Sequence, residues 1–333
     1  MPTLVTKLSH GEHLSVSEFL SLLLQDNNEI ETKAGSIREH HFGNTIFLRG
    51  LIEISNYCRC NCYYCGIRRE NERLTRYRLT REQILDACRV GAELGFHTFV
   101  LQGGEDTYWR EGRLVDLIKD IHGAYPEITI TLSLGEMSSE QYQDLFDAGA
   151  RRYLLRHETI HPSHYRHLHP KSQTLDHRLK ALTSLKSIGY ETGVGGMVGS
   201  PGQKLRYLAE DLYFIQEFQP DMIGIGPFLP HADTPFNNFP PGDLSLTLRM
   251  VALCRLICPT ANIPATTAVA TLSNRGREKA IKAGANVVMP NLSPPDYRSL
   301  YSLYDNKASY GSEAAEGLSL LRSELSRYGF SAY

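Results

Sequence analysis

The chain lacks the features that would place it at once. Its 333 residues include one tryptophan and six methionines, and neither sign of charge prevails: 35 Lys and Arg against 37 Asp and Glu give a net charge of −2. A basic coat for nucleic acid is therefore not expected. Long apolar runs are missing. Stretches such as Leu22-Leu23-Leu24 and Val287-Val288-Met289 fall far short of the roughly 20 residues that cross a bilayer. The first residues carry no apolar signal core, so no membrane association is expected and a soluble, cytoplasmic protein is. There is no Pro/Gly/Ser-rich linker, charge block or repeat of roughly 20–50 residues, which argues against strung modules and solenoids. A hydrophobic share of 41% and a charged share of 22% exclude a disordered or fibrous chain.

What the chain does have is a knot of cysteine. Four of its seven cysteines, Cys58, Cys60, Cys62 and Cys65, fall within eight residues, while Cys88, Cys254 and Cys258 are scattered. A disulfide scaffold is usually short and spreads its cysteines along the chain. One dense group in a chain of this size points to a metal ion or cluster. Cys58, Cys62 and Cys65 are spaced C-x3-C-x2-C. Three thiolates suit a 4Fe–4S cluster, since they bind three irons and leave the fourth open to another ligand. A four-cysteine zinc site normally draws on two separated pairs, and the sequence has no second pair. Zinc, and redox or structural thiols, stay open as alternatives. Cys60 reads as a bystander, because one intervening residue hardly lets neighbouring thiolates reach separate corners. Cys254 and Cys258, four apart on an apolar helix, read as core.

Around the knot, short apolar and often β-branched runs alternate with longer stretches of helical period. Strands are predicted at 48–55, 98–105, 128–136, 151–158, 191–199, 222–230, 263–271 and 286–293. Helices are predicted near 81–94, 114–124, 138–148, 175–188, 204–218, 244–257, 274–283 and 313–328. Thr80 with Gln83, and Ser138 with Gln141, have the spacing of capping boxes. Gly95, Gly149, Gly189 and Gly284 stand where helices should end. Eight strands, each followed by a helix, predict an α/β fold of the (β/α)8 TIM-barrel type; an open doubly wound sheet would stop near about five or six strands. Residues 1–45 would form an N-terminal helical extension, with an amphipathic piece at 15–24. Residues 46–305 would form the barrel and 306–333 a C-terminal helix completing it. Chemistry in such barrels sits at the C-terminal strand ends, and the cysteine run follows directly on the first strand.

The cysteine run, with the aromatic Tyr64 before its third cysteine, resembles the signature of the radical S-adenosylmethionine (SAM) superfamily. Longer strings narrow the likeness. Ile54-Ser55-Asn56-Tyr57-Cys58, Leu101-Gln102-Gly103-Gly104-Glu105-Asp106, Thr131-Leu132-Ser133-Leu134-Gly135-Glu136 and Tyr153-Leu154-Leu155-Arg156-His157-Glu158-Thr159 are similar to the FeFe-hydrogenase maturases of the HydE family. The similarity spans about residues 38–304. It implies one 4Fe–4S cluster on Cys58, Cys62 and Cys65, with SAM chelating the open iron and one-electron cleavage giving a 5′-deoxyadenosyl radical. The implied substrate is a cysteine-bound organometallic iron synthon carrying carbon monoxide and cyanide, bound for a dithiolate-bridged diiron centre. Implied partners are a reduced ferredoxin or flavodoxin and other hydrogenase-maturation proteins, including a scaffold. Some members carry C-terminal cysteines for a second cluster; none follows Cys258 here, so one cluster is expected.

The site residues follow position by position. Tyr64 would lie beside the cluster and stack on a planar ligand. By the resemblance Gly103, Gly104 and Glu105 hold the methionyl ammonium, glycine letting the backbone approach closely; alone, such a turn would pass as ordinary. Charged groups in a barrel strand are costly unless paired or facing the mouth, which favours function for Arg156, His157 and Glu158. The resemblance gives Glu158 the ribose hydroxyls and Arg178 the SAM carboxylate, a solvated helix arginine being the alternative. Arg156 and Thr131 would face an anionic group of the substrate, and Gly226 would let the adenine lie against the backbone. Met222 and Met289 line the cavity or pack in the core. Tyr297, Tyr301 and Tyr304 recur at helical spacing, usually a packing stripe, with Tyr301 the candidate to relay a hydrogen atom or proton. His231, Asp233 and Thr234 cap a loop or meet substrate. Ser200 departs from the apolar residue usual in the family.

Two relatives that share the barrel remain as alternatives. Biotin synthase needs further cysteines on later strands, and strands three to eight carry none. Methylornithine synthase, a carbon-skeleton mutase, fits the fold but differs in the Gly-Gly-Glu-Asp and Arg-His-Glu strings. Outside catalysis, the alternative is an iron–sulfur carrier or a SAM-binding sensor, against which Glu158 and Arg178 argue.

Overall fold

A computed structural model describes residues 3–25, 28–110, 112–306 and 314–333. Residue 313, where the last helix was expected to start, lies outside these, as do 1, 2, 26 and 27 of the expected extension and 307–312 of the expected C-terminal segment. The strands are β1 (Thr45–Leu48), β2 (Gly50–Ser55), β3 (Thr98–Gly103), β4 (Thr129–Ser133), β5 (Ala150–Leu154), β6 (Glu191–Val198), β7 (Met222–Pro227), β8 (Val287–Val288) and β9 (Ser331–Ala332). β2 to β7 pair in chain order, each parallel to the next. Every residue of β2 and β7 is buried, as parallel strands are when helices cover the sheet. The covering helices turn one apolar stripe inward, as Leu114, Leu117, Ile118 and Ile121 do on Arg113–Ala124. Capping boxes at Thr80 and Ser138 start their helices as read.

Short bridges close the ring. Asn262 pairs with Met222 of β7, Pro264 with Val287 of β8, and Asn291 with Leu51 of β2. Backbone hydrogen bonds carry the seam: Ile223 N–H to the Asn262 carbonyl at 3.0 Å, Ala265 N–H to Val287 at 2.9 Å, and Leu51 N–H to Pro290 at 2.9 Å. Eight strand positions therefore surround the barrel, two of them only a few residues long. The strand expected over 263–271 is cut to its first residues, because Pro264 can donate no ladder bond and the chain turns into the helix Thr267–Leu272. Its threonines and Val269 carried the strand signal, yet Thr271 bonds back to the Thr267 carbonyl at 3.0 Å, a helical contact. The helices Leu4–Ser9 and Glu29–Phe42 fall in the stretch expected to be a helical extension, whereas the helix Pro162–Leu168 and strand β9 pairing beside β1 were not expected.

One buried cation fastens the seam. Arg255, near the end of the helix Leu244–Ile257, is fully buried. It donates to the carbonyls of Gly284 at 2.8 Å and Pro259 at 2.8 Å, and to Asn286 Oδ1 at 2.9 Å. The same Asn286 oxygen accepts the Ile263 N–H at 2.8 Å. Truncating Arg255 takes this donor from the Gly284 and Pro259 carbonyls, and such losses cost about 1–3 kcal/mol each. Arg255→Ala should therefore lower the free energy of urea unfolding by about 3 kcal/mol or more; an unchanged midpoint would refute the role.

Candidate active site

The chain leaving β2 forms no regular structure, so its polar backbone needs other partners. The Arg76 guanidinium supplies several, donating to the carbonyls of Asn56 at 2.6 Å, Ile67 at 2.9 Å, Arg68 at 2.6 Å and Asn71 at 3.2 Å. Asn56 ties the loop to Thr75 and Leu300 through its amide, at 2.9 and 2.8 Å. The cysteine loop is thus held by side chains clasping its carbonyls.

The turn after β3 locks into this loop. A Cβ on Gly104 would stand 2.2 Å from the Tyr57 carbonyl oxygen and 2.7 Å from Cys58 Cβ, so only glycine lets the strands meet there. Glu105 N–H donates to Cys58 Sγ at 3.3 Å. Its carboxylate takes Arg59 at 2.9 Å, Arg110 at 3.2 Å and the Glu136 N–H at 2.9 Å. This carboxylate, expected at a ligand, is therefore engaged within the protein. Asp106 holds Arg78 in two bonds, 2.6 and 3.0 Å, and accepts Ser55 Oγ at 2.7 Å.

Burial, followed by the neighbouring thiols, pushes Cys62 up to about 12 and Cys65 higher still. Cys60 shares a hydrogen bond with Cys58, which holds the Cys58 thiol down and pushes Cys60 up. Without a cation Cys62 and Cys65 stay protonated, and metal loading must release those protons. Among the described residues no three His, Cys, Asp or Glu side chains converge as on a single ion. Thiolates that each take a different iron of a cluster stand further apart.

The ends of β4 and β5 and the helix Leu175–Ile188 bring together a chain of charge, buried at Glu136, Arg178 and Glu158. Glu136 takes the Arg178 Nε and, at 2.5 Å, the His177 Nδ1–H. Burial opposes the charge on Glu136, but Arg178 and His177 outweigh it and hold the carboxyl below its usual range. Arg178 also donates through Nη1 to the Arg156 carbonyl, and its Nη2 makes no hydrogen bond among the described residues. Arg156 Nη2 meets Glu158 Oε2 at 2.8 Å. Glu158 has φ +65°, a left-handed backbone rare for a side chain of its kind. Such a conformation costs about 1–3 kcal/mol and persists only where the surroundings enforce it. Here the Glu158 N–H donates to Gly195 at 2.9 Å, and a Cβ on Gly196 would lie 2.6 Å from the Glu158 carbonyl oxygen.

The remaining expected residues divide. Tyr64 donates its hydroxyl to His169 Nε2 at 3.3 Å and packs with Leu168, Met197, Phe228 and Phe236, a small apolar group apart from the main core. Thr131 on β4 is buried, and its hydroxyl finds no partner among the described residues; the same holds for Arg156 Nε. Tyr301 is buried and takes the Gln102 amide at 3.4 Å. Gly226, next to last in β7, faces Thr266, whose Oγ1 lies 2.9 Å from where a Cβ would be. Met222, by contrast, begins β7, a strand length from Gly226, and its sulfur takes Arg49 Nη1 at 3.3 Å; it is not brought to the mouth. Tyr297 packs on Tyr77 with centroids 5.1 Å apart. His231 and Thr234 close a loop on each other, and Asp233 pairs with Arg73 at 3.1 Å. The sequence reading missed Glu136, His177 and His169 as site residues; the carboxylate directly after Gly135 at a strand end was the available signal.

Two outcomes follow. Gly104→Ala should reduce the iron bound after anaerobic reconstitution well below four per chain, with a smaller effect on the melting temperature, because the added methyl displaces the cysteine loop and not the core. Cys60→Ala should keep the full iron content while Cys62→Ala loses it; loss of iron in the first variant would refute three-thiolate ligation.

A family model for the radical SAM superfamily matches residues 52–215. The chain is 48% identical over 293 residues to the [FeFe] hydrogenase maturase subunit HydE of Thermotoga maritima, covering 88% of this chain and 83% of that protein. It is 31% identical over 305 residues to the 3-methylornithine synthase of Methanosarcina barkeri, with 87% and 83% covered. The crystal structure of methylornithine synthase (PylB) superposes with a TM-score of 0.85 at 28% identity, over 99% of this chain and 97% of that one. The family's cofactors are a 4Fe–4S cluster and SAM. Three thiols on one clasped loop, and buried hydroxyl and guanidinium donors without partners on β4 and just after β5, fit both. The chain belongs to the radical SAM superfamily and, within it, to the HydE family.

Proposed function

We propose that this chain matures [FeFe]-hydrogenase by acting on a cysteine-bound organometallic iron synthon that carries carbon monoxide and cyanide. The observation that carries this reading is the 48% identity to Thermotoga maritima HydE across 88% of the chain. When bound, the cluster and SAM supply one-electron cleavage of the sulfonium and a 5′-deoxyadenosyl radical. The chain's own residues do the rest. Cys58, Cys62 and Cys65 hold three irons. Arg178, fixed by Glu136, takes the SAM carboxylate, and Glu158 takes the ribose hydroxyls. The Gly103-Gly104-Glu105 turn faces the methionyl ammonium, and Gly226 leaves room for the adenine. Arg156 and Thr131, each with a buried donor that lacks a partner among the described residues, take an anionic group of the substrate. Tyr301, protonated because burial pushes its phenol well up, stands ready to relay a proton or hydrogen atom. A reduced ferredoxin or flavodoxin donates the electron, and a scaffold among the other maturation proteins receives the product. No helix among the described residues is long and apolar enough to cross a membrane, in keeping with the cytoplasmic setting we assign.

The structural likeness to methylornithine synthase, TM-score 0.85, favours a methylornithine-synthase-like mutase as the second reading. Maturation of apo-hydrogenase in vitro separates the two. With the other maturases present, this chain should restore hydrogen evolution; 5′-deoxyadenosine release without hydrogenase activity would refute the proposal. Arg156→Lys should keep SAM cleavage measurable but lower maturation about tenfold or more, since lysine cannot reproduce the forked donor.

A further inference from the structure

Tyr165 lies on the short helix Pro162–Leu168 and is wholly buried. Its hydroxyl has no hydrogen-bond partner among the described residues. A phenylalanine would fill the same space without burying a polar group, so the hydroxyl is a cost to the fold unless something else accepts it. Its position is fixed from several sides. The ring stacks on His169 with centroids 4.1 Å apart and planes 22° from parallel. His169 donates Nδ1–H to the Tyr165 carbonyl at 2.9 Å, so its Nε2 accepts the Tyr64 hydroxyl beside Cys65. The Leu168 carbonyl accepts the Tyr63 N–H at 2.9 Å. The helix end is thereby stitched to the cysteine loop.

The surroundings say what kind of acceptor is missing. Burial pushes the Tyr165 phenol up, so it is protonated and a donor; the charges it senses next are those of Arg178, Glu136, Cys62 and Glu158. In return, after burial, Tyr165 and Glu136 are the groups Arg178 senses most. Tyr165 sits on a helix packed against Leu175–Ile188, which carries Arg178. A buried donor there, with the Arg178 Nη2 uncommitted, calls for an anionic oxygen, and hydrogen bonds to ionised acceptors are the strong ones.

We propose that the Tyr165 hydroxyl is a second donor to the SAM carboxylate, acting with Arg178. This rests on reading Arg178 as the partner of that carboxylate.

The test is Tyr165→Phe in the cluster-loaded, unreduced protein, titrated with SAM alongside Arg178→Ala. Tyr165→Phe should weaken SAM binding about tenfold, leave iron content unchanged, and leave the SAM-free melting temperature unchanged or higher. Unchanged SAM affinity in Tyr165→Phe, with affinity lost in Arg178→Ala, would overturn this proposal and spare the reading of the site. Unchanged affinity in both would overturn the site. A lower SAM-free melting temperature, or an altered cluster spectrum before SAM is added, would assign the hydroxyl to the protein or the cluster and also overturn the proposal.

Discussion

A guanidinium buried at a barrel mouth has to be answered on every side, and Arg178 organises its neighbours for that reason. Its Nε meets Glu136 and its Nη1 meets the Arg156 carbonyl. Glu136 is in turn held by His177, while its backbone N–H reaches Glu105. Arg156 passes the chain of contacts on to Glu158. Desolvated charges of this kind are stable only in company, and here the company comes from three separate strand ends. The network leaves Arg178 Nη2, Arg156 Nε and the Thr131 hydroxyl without partners among the described residues. We propose these as the places where ligand atoms complete the site.

The cysteine loop answers a different constraint. It needs to hold three thiols apart without the support of a helix or strand, and it does so by leaning on rigid neighbours. Arg76 gathers its carbonyls, Gly104 lets the β3 turn press against Tyr57 and Cys58, and Glu105 N–H reaches Cys58 Sγ. Because Glu105 and Glu136 share Arg110, which lies 3.2 Å from the first and bonds the carbonyl of the second at 2.6 Å, loop and charge network form one unit. The left-handed backbone of Glu158 belongs to the same unit, held by β6.

Much of this was legible in the chain before folding. Alternating apolar runs and helical stretches gave the barrel, and capping boxes at Thr80 and Ser138 placed two helix starts. The cysteine spacing located the cluster loop, since a local motif needs no knowledge of distant contacts. The failures share a cause. The run 263–271 is β-branched enough to read as strand, but Pro264 and the alanines decide its fate, and the seam it forms depends on Arg255 and Asn286 from elsewhere. Met222 was read as lining the cavity or packing in the core; its place at the start of β7, against Arg49, depends on register. Glu136 and Tyr165 went unremarked because their significance lies in what they face, and facing is a property of the fold.

We propose that the polypeptide leaves one iron of a four-iron cluster open for SAM. Electron paramagnetic resonance of the anaerobically reconstituted and reduced protein, recorded with and without SAM, tests it most directly. With one iron open, the g-values of the signal should shift when SAM is added. A signal indifferent to SAM, or a protein that loads zinc and no iron, would contradict it.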